Sequence, residues 1–359
     1  MAETRDAETM LLSAEQAEAF AAGLFAAHGV PAGDARLAAS CLVRADLRGV
    51  DTHGIVRMPG YLERISRGLV NPAPSLEFDA IGPSMLRLDG QNGLGFVIAS
   101  RAIAEGILVA EQQGLAMIGV RNSTHFGMAA AYLLQAIEAG YLALVFTNAS
   151  PALPPWGGTE EVFGTSPFAV AAPNPGGIPF VLDMAPTIVA RGKIRKAARE
   201  GKAIPPGWAL DADGAPTTDP DAALQGGTLL PIGGPKGAGL SIWLDIMCGV
   251  LTGANFAGGV GDQYKNFDRP QGVGHLITVI RPDICLGSRD LFGARMQELV
   301  ETVKNNRKAD GVSEIFMPGE IEARTEAARR KTGIPYRVAD LALLAGIARL
   351  HDVAVPDGL

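Results

Sequence analysis

From Ser84 to Asn148 the chain switches repeatedly between two hydrophobic periods. "SMLRLDG" reads as a strand, "LGFVIASRAIAEGILVAEQQG" as an apolar helix and "LAMIGV" as a strand. "RNSTHFG" reads as a loop, "MAAAYLLQAIEAG" as a helix and "YLALVFTN" as a strand again. "FAVAAP" and "FVLDMA" add two strand candidates. Such alternation drives a chain towards an α/β fold, in which helices cover a sheet. It also invites a dinucleotide fold, whose fingerprint is G-x-G-x-x-G between a strand and a helix. The nearest match, "GLGFVI" from Gly93, has Ile98 at the third glycine position. No acidic residue ends a second strand about 20 residues on. A turn before a packed helix is the better reading, and the usual dinucleotide signature is absent.

The flanks are helical. Ser13 and Gln16 form a capping box for an alanine-rich helix reaching His28. A second helix is expected over Asp34–Arg48, and "YLERISRGLVNPAP" reads as a third, ended by Gly68 and two prolines. Beyond the strands, "IVARGKIRKAAREGK" is a helix with a basic face, "DADGAPTTDPDAALQGG" a turn region and 237–252 a long helix. "GHLITVIRP" is a further strand, and the C-terminal part reads as mostly helical, interrupted by "FMPGE".

At 359 residues, two domains or one domain with a cap is the natural expectation. A hydrophobic share of 47% against 19% charged residues gives ample core material. The net charge of −7 argues against a general nucleic-acid binder, which wants a basic surface. Cys41, Cys248 and Cys285 are far apart, so neither a disulfide framework nor a zinc site is indicated, and a reducing cytoplasmic location is expected. "MAETRDAETM" lacks the basic start and apolar core of a signal peptide. "AGLSIWLDIMCGVLTGANFAGG" is broken by Asp245 and several glycines, so it reads as a buried helix rather than a membrane span.

Five stretches hold candidate chemistry. "GGPKGAGL" places glycines and Lys236 before an apolar helix, where free N–H groups and an ammonium suit a phosphate; a plain loop-to-helix turn is the alternative. "NSTHFGM" puts His125 between a strand and a helix, whose N-terminal end disfavours the imidazolium; Asn122, Ser123 or Thr124 is placed to cap that helix. "VLDMAPT" ends a strand with Asp183, an anchor for a histidine or an ordinary turn residue. "FMPGEIEAR" offers Gly319 for close backbone approach and a Glu320–Arg324 pair, by itself a solvated helix contact. "DTHGIVRMPGYLERI" spaces His53, Arg57 and Tyr61 four apart, while Ile55, Met58, Leu62, Ile65 and Leu69 fall on another helical face. Pro59 suits a first helical turn, which leaves His53 either on the helix or in the loop before it.

Taken together, the sequence resembles the type 2 malate/L-lactate dehydrogenase family across nearly its whole length. The blocks that carry this are "ADLRGVDTHGIVRMPGYLERISRGLVNP", "DGQNGLGF", "VRNSTHFG", "TNASP", "FGTSPFAVAAP", "LDMAPT", "IPPGWALDADGAPTTDPDAAL", "LLPIGGPKGAGL" and "FMPGE", in that order. The resemblance implies an NAD- or NADP-dependent oxidoreductase acting on small 2-hydroxy acids, 2-oxo acids or cyclic imino acids. It implies an α/β (α+β) chain with a non-Rossmann cofactor domain built on a largely antiparallel sheet, over residues 76–299. A discontinuous helical domain, 1–75 with 300–359, accompanies it, and the protein is expected to be a homodimer. This architecture replaces the simple βαβ expectation.

Roles carry over by position. His53 matches the catalytic histidine, beside the hydroxyl of Thr52, and Arg57 the arginine that holds the substrate carboxylate. His125 matches a second catalytic histidine, either a proton carrier or a neutral donor, and Asp183 is expected to orient His53. Cofactor contacts are implied at Ser150, at Val181, Leu182, Asp183, Met184 and Ala185, and at Lys236, Gly237, Pro318, Gly319 and Glu320. No metal is required by this chemistry, and neither a nucleic acid nor a membrane is an expected partner. Thr52 replaces a commoner serine, Ala238 stands where an aromatic residue is frequent, Pro235 precedes the lysine, and "MAPT" replaces an ending with serine. These departures leave the choice between NAD and NADP open. A cyclic-imine reductase is the rival activity. A non-catalytic binding protein on the same fold is the remote alternative, since it would be expected to have lost the catalytic positions.

Overall fold

The computed structural model describes residues 8–359; residues 1–7, the start of the polar stretch read above as no signal peptide, lie outside the described residues. Strand β1 (Thr9–Leu12) leads into α1 (Ala14–Ala27) through the expected capping box: Gln16 N–H donates to Ser13 Oγ at 3.1 Å and Ser13 N–H to Gln16 Oε1 at 2.9 Å. Next come α2 (Ala32–Leu47) and α3 (Met58–Ser66). Then follow β2 (Phe78–Gly82), β3 (Met85–Asp89), α4 (Gly95–Gln113), β4 (Leu115–Ser123), α5 (Ala130–Glu138), β5 (Leu142–Thr147), β6 (Phe168–Ala172) and β7 (Phe180–Met184). The alternation read from the sequence is therefore real. Its loop "RNSTHFG" is shorter than expected, because β4 runs on to Ser123, which pairs with Val273.

These strands join β8 (Val273–Ile280) in a seven-stranded sheet of order β2-β3-β4-β8-β5-β6-β7. Only the β3–β4 pair, linked through α4, is parallel; every other neighbouring pair is antiparallel. The late strand β8 inserts between β4 and β5, and its nearly unbroken apolar run matches a strand buried on both faces. Helices α4 and α5, backed by α2, cover one face within a core that reaches from Leu12 to Ala348. On the other face Phe146 and Leu276 meet Leu244 and Cys248. Those two residues belong to α7 (Pro235–Asp245) and the π-helical turn Ile246–Val250 that continues it, where one uninterrupted helix was expected.

Helix α6 (Arg191–Arg199) packs Ile194 into a smaller core with Ile204, Ala209 and Leu229. The expected turn region 211–227 contributes strand Pro216–Thr217 and the helical turn Pro220–Leu224. The chain ends with α8 (Arg289–Lys304), α9 (Glu320–Thr332), β9 (Ile334–Arg337) and α10 (Val338–Leu350). Strands β1 and β9, neither expected, pair antiparallel and tie the two chain ends together. Among the described residues no helix is long and apolar enough to cross a membrane.

One buried carboxylate connects these ends to the "DTHG" stretch. Asp46, at the end of α2, has no exposed surface. Its Oδ2 accepts from Ile55 N–H at 3.0 Å and from the Tyr336 hydroxyl on β9 at 2.9 Å. Gly54 lies so close that a Cβ there would sit 1.6 Å from Asp46 Oδ1, so no larger residue fits. Loss of water pushes the Asp46 pKa up to about 7, against the opposing pull of those hydrogen bonds and of Arg329. The folded-state value lies above the ordinary 3.8, so folding favours the protonated form between the two; stability from this group is present at low pH and lost as pH rises through that window. Thermal unfolding should show Asp46→Asn gaining on the wild type from about pH 4 to about pH 7. A constant difference across that range would refute the assignment.

Candidate active site

Two short 3-10 turns, Asp51–His53 and Ile55–Arg57, precede α3, and Pro59 sits in the first turn of that helix. His53 thus lies before the helix, Arg57 at its N-cap and Tyr61 within it. They do not share one helical face. Ile55, Met58, Leu62 and Ile65 are buried as the apolar spacing implies, but Tyr61 is buried with them.

Arg57 is held before any substrate arrives. Its Nε donates to the Thr52 carbonyl at 2.5 Å and its Nη1 to the Tyr264 hydroxyl at 2.7 Å, with the guanidinium 5.3 Å from the Tyr264 ring centroid. That leaves the end of the fork, Nη2 and the second Nη1 hydrogen, for a carboxylate. His53 Nδ1 lies 3.0 Å from Thr52 Oγ1, and its ring stacks on His125 at 6.0 Å and 18°. Loss of water, reinforced by Arg57, pulls the His53 pKa down to about 4, well below the usual 6.5 expected of it.

His125 follows β4. Its N–H donates to Gln271 Oε1 at 3.1 Å, and its Nδ1 meets the Tyr61 hydroxyl at 2.6 Å and the Gly127 amide at 3.2 Å. Its pKa falls well below the usual value, first through loss of water and then through His53, Arg57 and His275. The neutral state expected of His125 holds, with desolvation rather than a helix end as the leading cause. Below it, Phe126 stacks on His275 at 4.7 Å and 5°. Both nitrogens of that fully buried histidine meet hydroxyls, Thr147 and Ser123, each at 2.7 Å.

Three expectations change. Thr124 does not cap α5; its hydroxyl accepts from Gly95 N–H at 2.9 Å, at the start of α4. Asn122 bonds Asp89, and Ser123 serves His275. The start of α5 is capped from across the sheet, where Asp183 Oδ2 accepts from Ala130 N–H at 2.8 Å. Among the described residues no hydrogen bond joins Asp183 to His53, so Asp183 braces the helix that follows His125. Asp183 keeps an edge open to water but is otherwise crowded by protein, which pushes its pKa up to about 6.

The implied cofactor contacts other than Ser150 lie on or beside β7. Cross-strand register places Leu182 and Met184 beside Val170 and Phe168, on the sheet face that α7 covers; Val181 and Asp183 face α5. Val181 N–H donates to the Pro318 carbonyl at 3.0 Å. Gly319, at φ +86°, approaches so near that a Cβ would lie 2.9 Å from the Val181 carbonyl. The Gly319 carbonyl accepts from Arg48 Nη2 at 3.3 Å. Just past Ala185, the Pro186 carbonyl accepts from Ile232 N–H at 2.9 Å, which brings Lys236 and Gly237 at the start of α7 alongside. Lys236 is exposed and makes no ion pair among the described residues. Ser150 Oγ lies 3.5 Å from Asp262 Oδ2.

Glu320 departs from the expected solvated pair. It is buried, and its carboxylate binds Lys304 at 2.7 and 2.8 Å, Arg324 at 2.6 Å and Met317 N–H at 3.0 Å. It braces its loop and has little left to offer a ligand. Local sequence pattern gives Tyr61 no partner and does not reach Tyr264 or Gln271, because the partners of these three lie 64, 207 and 146 residues away in the chain. The one available signal was the four-residue spacing of Tyr61 from Arg57.

An arginine fork beside two neutral histidines has the chemistry to hold a carboxylate and to exchange a proton next to it. The sequence profile described as Malate/L-lactate dehydrogenase matches residues 12–345. The chain belongs to that family. A malate dehydrogenase of Pyrococcus abyssi is 37% identical over 329 residues, covering 89% of each chain. The solved sulfolactate dehydrogenase of Methanocaldococcus jannaschii superposes with a TM-score of 0.91 at 34% identity, over 97% of this chain and 99% of that one. A Δ1-pyrroline-2-carboxylate/Δ1-piperideine-2-carboxylate reductase of Pseudomonas syringae is 34% identical over 327 residues, 90% of this chain and 92% of its own. Other relatives carry NAD(+) or NADP(+) in their names.

Removing the Tyr264 hydroxyl frees one side of the arginine fork. Tyr264→Phe should raise KM for the acid about fivefold, the equivalent of one hydrogen bond of about 1 kcal/mol, with kcat changing less. An unchanged KM would show that the bond does not hold Arg57 for binding.

Proposed function

We propose that this chain is an NAD(P)-dependent oxidoreductase interconverting small 2-hydroxy and 2-oxo acids, with Arg57 gripping the carboxylate and His53 handling the proton. The observation that carries this reading is the half-engaged Arg57 fork beside the His53–His125 stack. Two parallel hydrogen bonds from its free end fix both the position and the plane of a carboxylate. The nicotinamide, when bound, supplies the hydride acceptor or donor. The residues around β7 fit such a group: the exposed Lys236 at a helix start suits a phosphate, and Gly319 lets backbone close upon Val181. We assign cofactor contacts to Ser150, Val181–Ala185, Lys236–Gly237 and Pro318–Gly319. Glu320 supports them from behind. The cofactor unit is non-Rossmann in this reading: one parallel pair in a sheet of antiparallel pairs, and no glycine fingerprint, support it.

In the oxidative direction His53 Nε2 takes the hydroxyl proton, and in the reductive direction it returns one. The low His53 pKa makes the neutral, accepting form dominant at neutral pH. The same clamp suits a cyclic imino acid, in which nitrogen replaces the oxygen next to the carboxylate; the relative named for that reduction favours this as the second reading. A discontinuous helical unit from both chain ends is supported by the β1–β9 pairing. A homodimer fits the exposed Ile242, Trp243, Ile246, Val250 and Leu251 along α7 and its continuation. Free Cys41, Cys248 and Cys285 fit a reducing cytoplasm.

Incubation with NADH or NADPH and pyruvate, oxaloacetate or Δ1-piperideine-2-carboxylate tests the activity. Loss of nicotinamide absorbance is expected with at least one pair, and none with any pair would sink it. Arg57→Lys should lower kcat/KM by about tenfold or more while the fold survives. His53→Ala should cost about a hundredfold to ten-thousandfold in turnover with cofactor affinity kept; a loss below about threefold would move the proton to His125. Oxidation kcat/KM should hold level from neutral pH and decline only as pH falls towards about 4, where His53 protonates. A decline centred near the ordinary histidine value would contradict the assignment.

A further inference from the structure

We infer that Tyr61 and the Gly127 amide lock His125 with its proton on Nε2, making it a fixed hydrogen-bond donor to the substrate oxygen and leaving proton transfer to His53. This rests on the dehydrogenase reading. The argument turns on what each histidine meets at Nδ1. A backbone N–H donates and does nothing else, and Gly127 N–H points at His125 Nδ1 from 3.2 Å. Nδ1 therefore presents its lone pair, and the proton of the neutral ring lies on Nε2. The Tyr61 hydroxyl meets the same lone pair at 2.6 Å. Burial drives the Tyr61 pKa well above 10, so the phenol stays protonated and keeps a hydrogen to donate. Its ring is 1% exposed and stands edge-on against Phe96 at 5.0 Å, so it has no room to turn away.

His53 is built the other way. Its Nδ1 faces the Thr52 hydroxyl at 3.0 Å, and a hydroxyl donates or accepts as required. For Nε2 of His53 to take a proton, the neutral ring carries its own proton on Nδ1, and Thr52 Oγ1 accepts from that Nδ1–H before and after the transfer. His125 has no such freedom, because protonating its Nδ1 would turn a new N–H against the Gly127 amide, which can only donate. Neither histidine's Nε2 has a hydrogen-bond partner among the described residues, and neither is an atom sealed from water. Both remain open to substrate: one free to change its proton, the other held as a donor. The titratable or charged groups facing His125 are His53, Arg57, Tyr61 and, one layer below, His275. Burial and the Arg57 charge favour the neutral ring, so the donor persists across the working pH range. Tyr61 is then a positioning residue, acting through His125 without touching substrate.

Nitrogen-15 NMR of histidine-labelled protein reads the tautomer directly, with His125→Gln identifying its signals. The expected result is an unprotonated Nδ1 and a protonated Nε2 at neutral pH, with Tyr61→Phe moving the signals towards a tautomer mixture. A protonated Nδ1 in the wild type would overturn the inference. In kinetics, glutamine at 125 still offers an N–H near the Nε2 position but cannot carry a proton. His125→Ala should lose about a hundredfold in kcat, whereas a folded His125→Gln should remain within about tenfold of wild type. Equal loss in both would make His125 a proton carrier and refute the proposal. Tyr61→Phe should lower kcat with KM unchanged, and unaltered kcat would remove Tyr61 from the mechanism. If the wild type turns over none of the acids or imines offered, the dehydrogenase reading fails, while the NMR result still decides the tautomer.

Discussion

The Asp46 carboxylate is the constraint on which the site depends. Shut away from water, it holds the Ile55 amide on one side and the Tyr336 hydroxyl on the other. The Ile55 bond fixes the start of the turn that carries Arg57, and the absent side chain at Gly54 lets that turn lie directly on α2. The Tyr336 bond fastens β9, and through it β1, to the same point. Arg329 adds a second tie, bonding both the Asp46 carbonyl and the Asp51 carboxylate. A buried carboxyl group costs stability unless it is hydrogen-bonded, and the Ile55 and Tyr336 bonds offset that cost at the point where the turn and the strand meet.

Around that anchor the site is pre-organised by neutral contacts. His125 rests on Phe126, Phe126 on His275, and His275 between two hydroxyls inside the sheet. The His125 ring is thus backed by a strand paired on both sides. His53 sits on a short turn with a partner that tolerates either direction of hydrogen bonding. Rigidity and adaptability fall on different histidines because different kinds of backbone carry them.

The sequence disclosed what is local. Helical periodicity, the Ser13–Gln16 box and the strand–helix alternation of 84–148 all produced the elements expected. The short pairing strands β1 and β9 stayed hidden, because four residues carry too little period to register. The place of β8 between β4 and β5 is set by pairing across more than a hundred residues, which no local pattern encodes. The same limit applied in the site. His53, Arg57 and His125 were legible through their motifs, but Tyr264, Gln271 and the Asp183 cap of α5 arise from contacts between distant segments. Tyr61 was visible, yet its apolar surroundings disguised it: a phenol in a core looks like packing until its hydroxyl is found on a histidine.

The bond between Arg57 and Tyr264 has a consequence for how such a protein changes over time. The Arg57 guanidinium sits beside α3, while its outer support belongs to the loop before β8. That loop is stitched by side-chain and main-chain bonds: Asp262 to the Tyr264 amide, Asn255 to the Gly259 carbonyl and Gln271 to the Gly261 carbonyl. Arg57 is therefore supported by a fixed part of the framework, so drift elsewhere on the surface leaves that support intact.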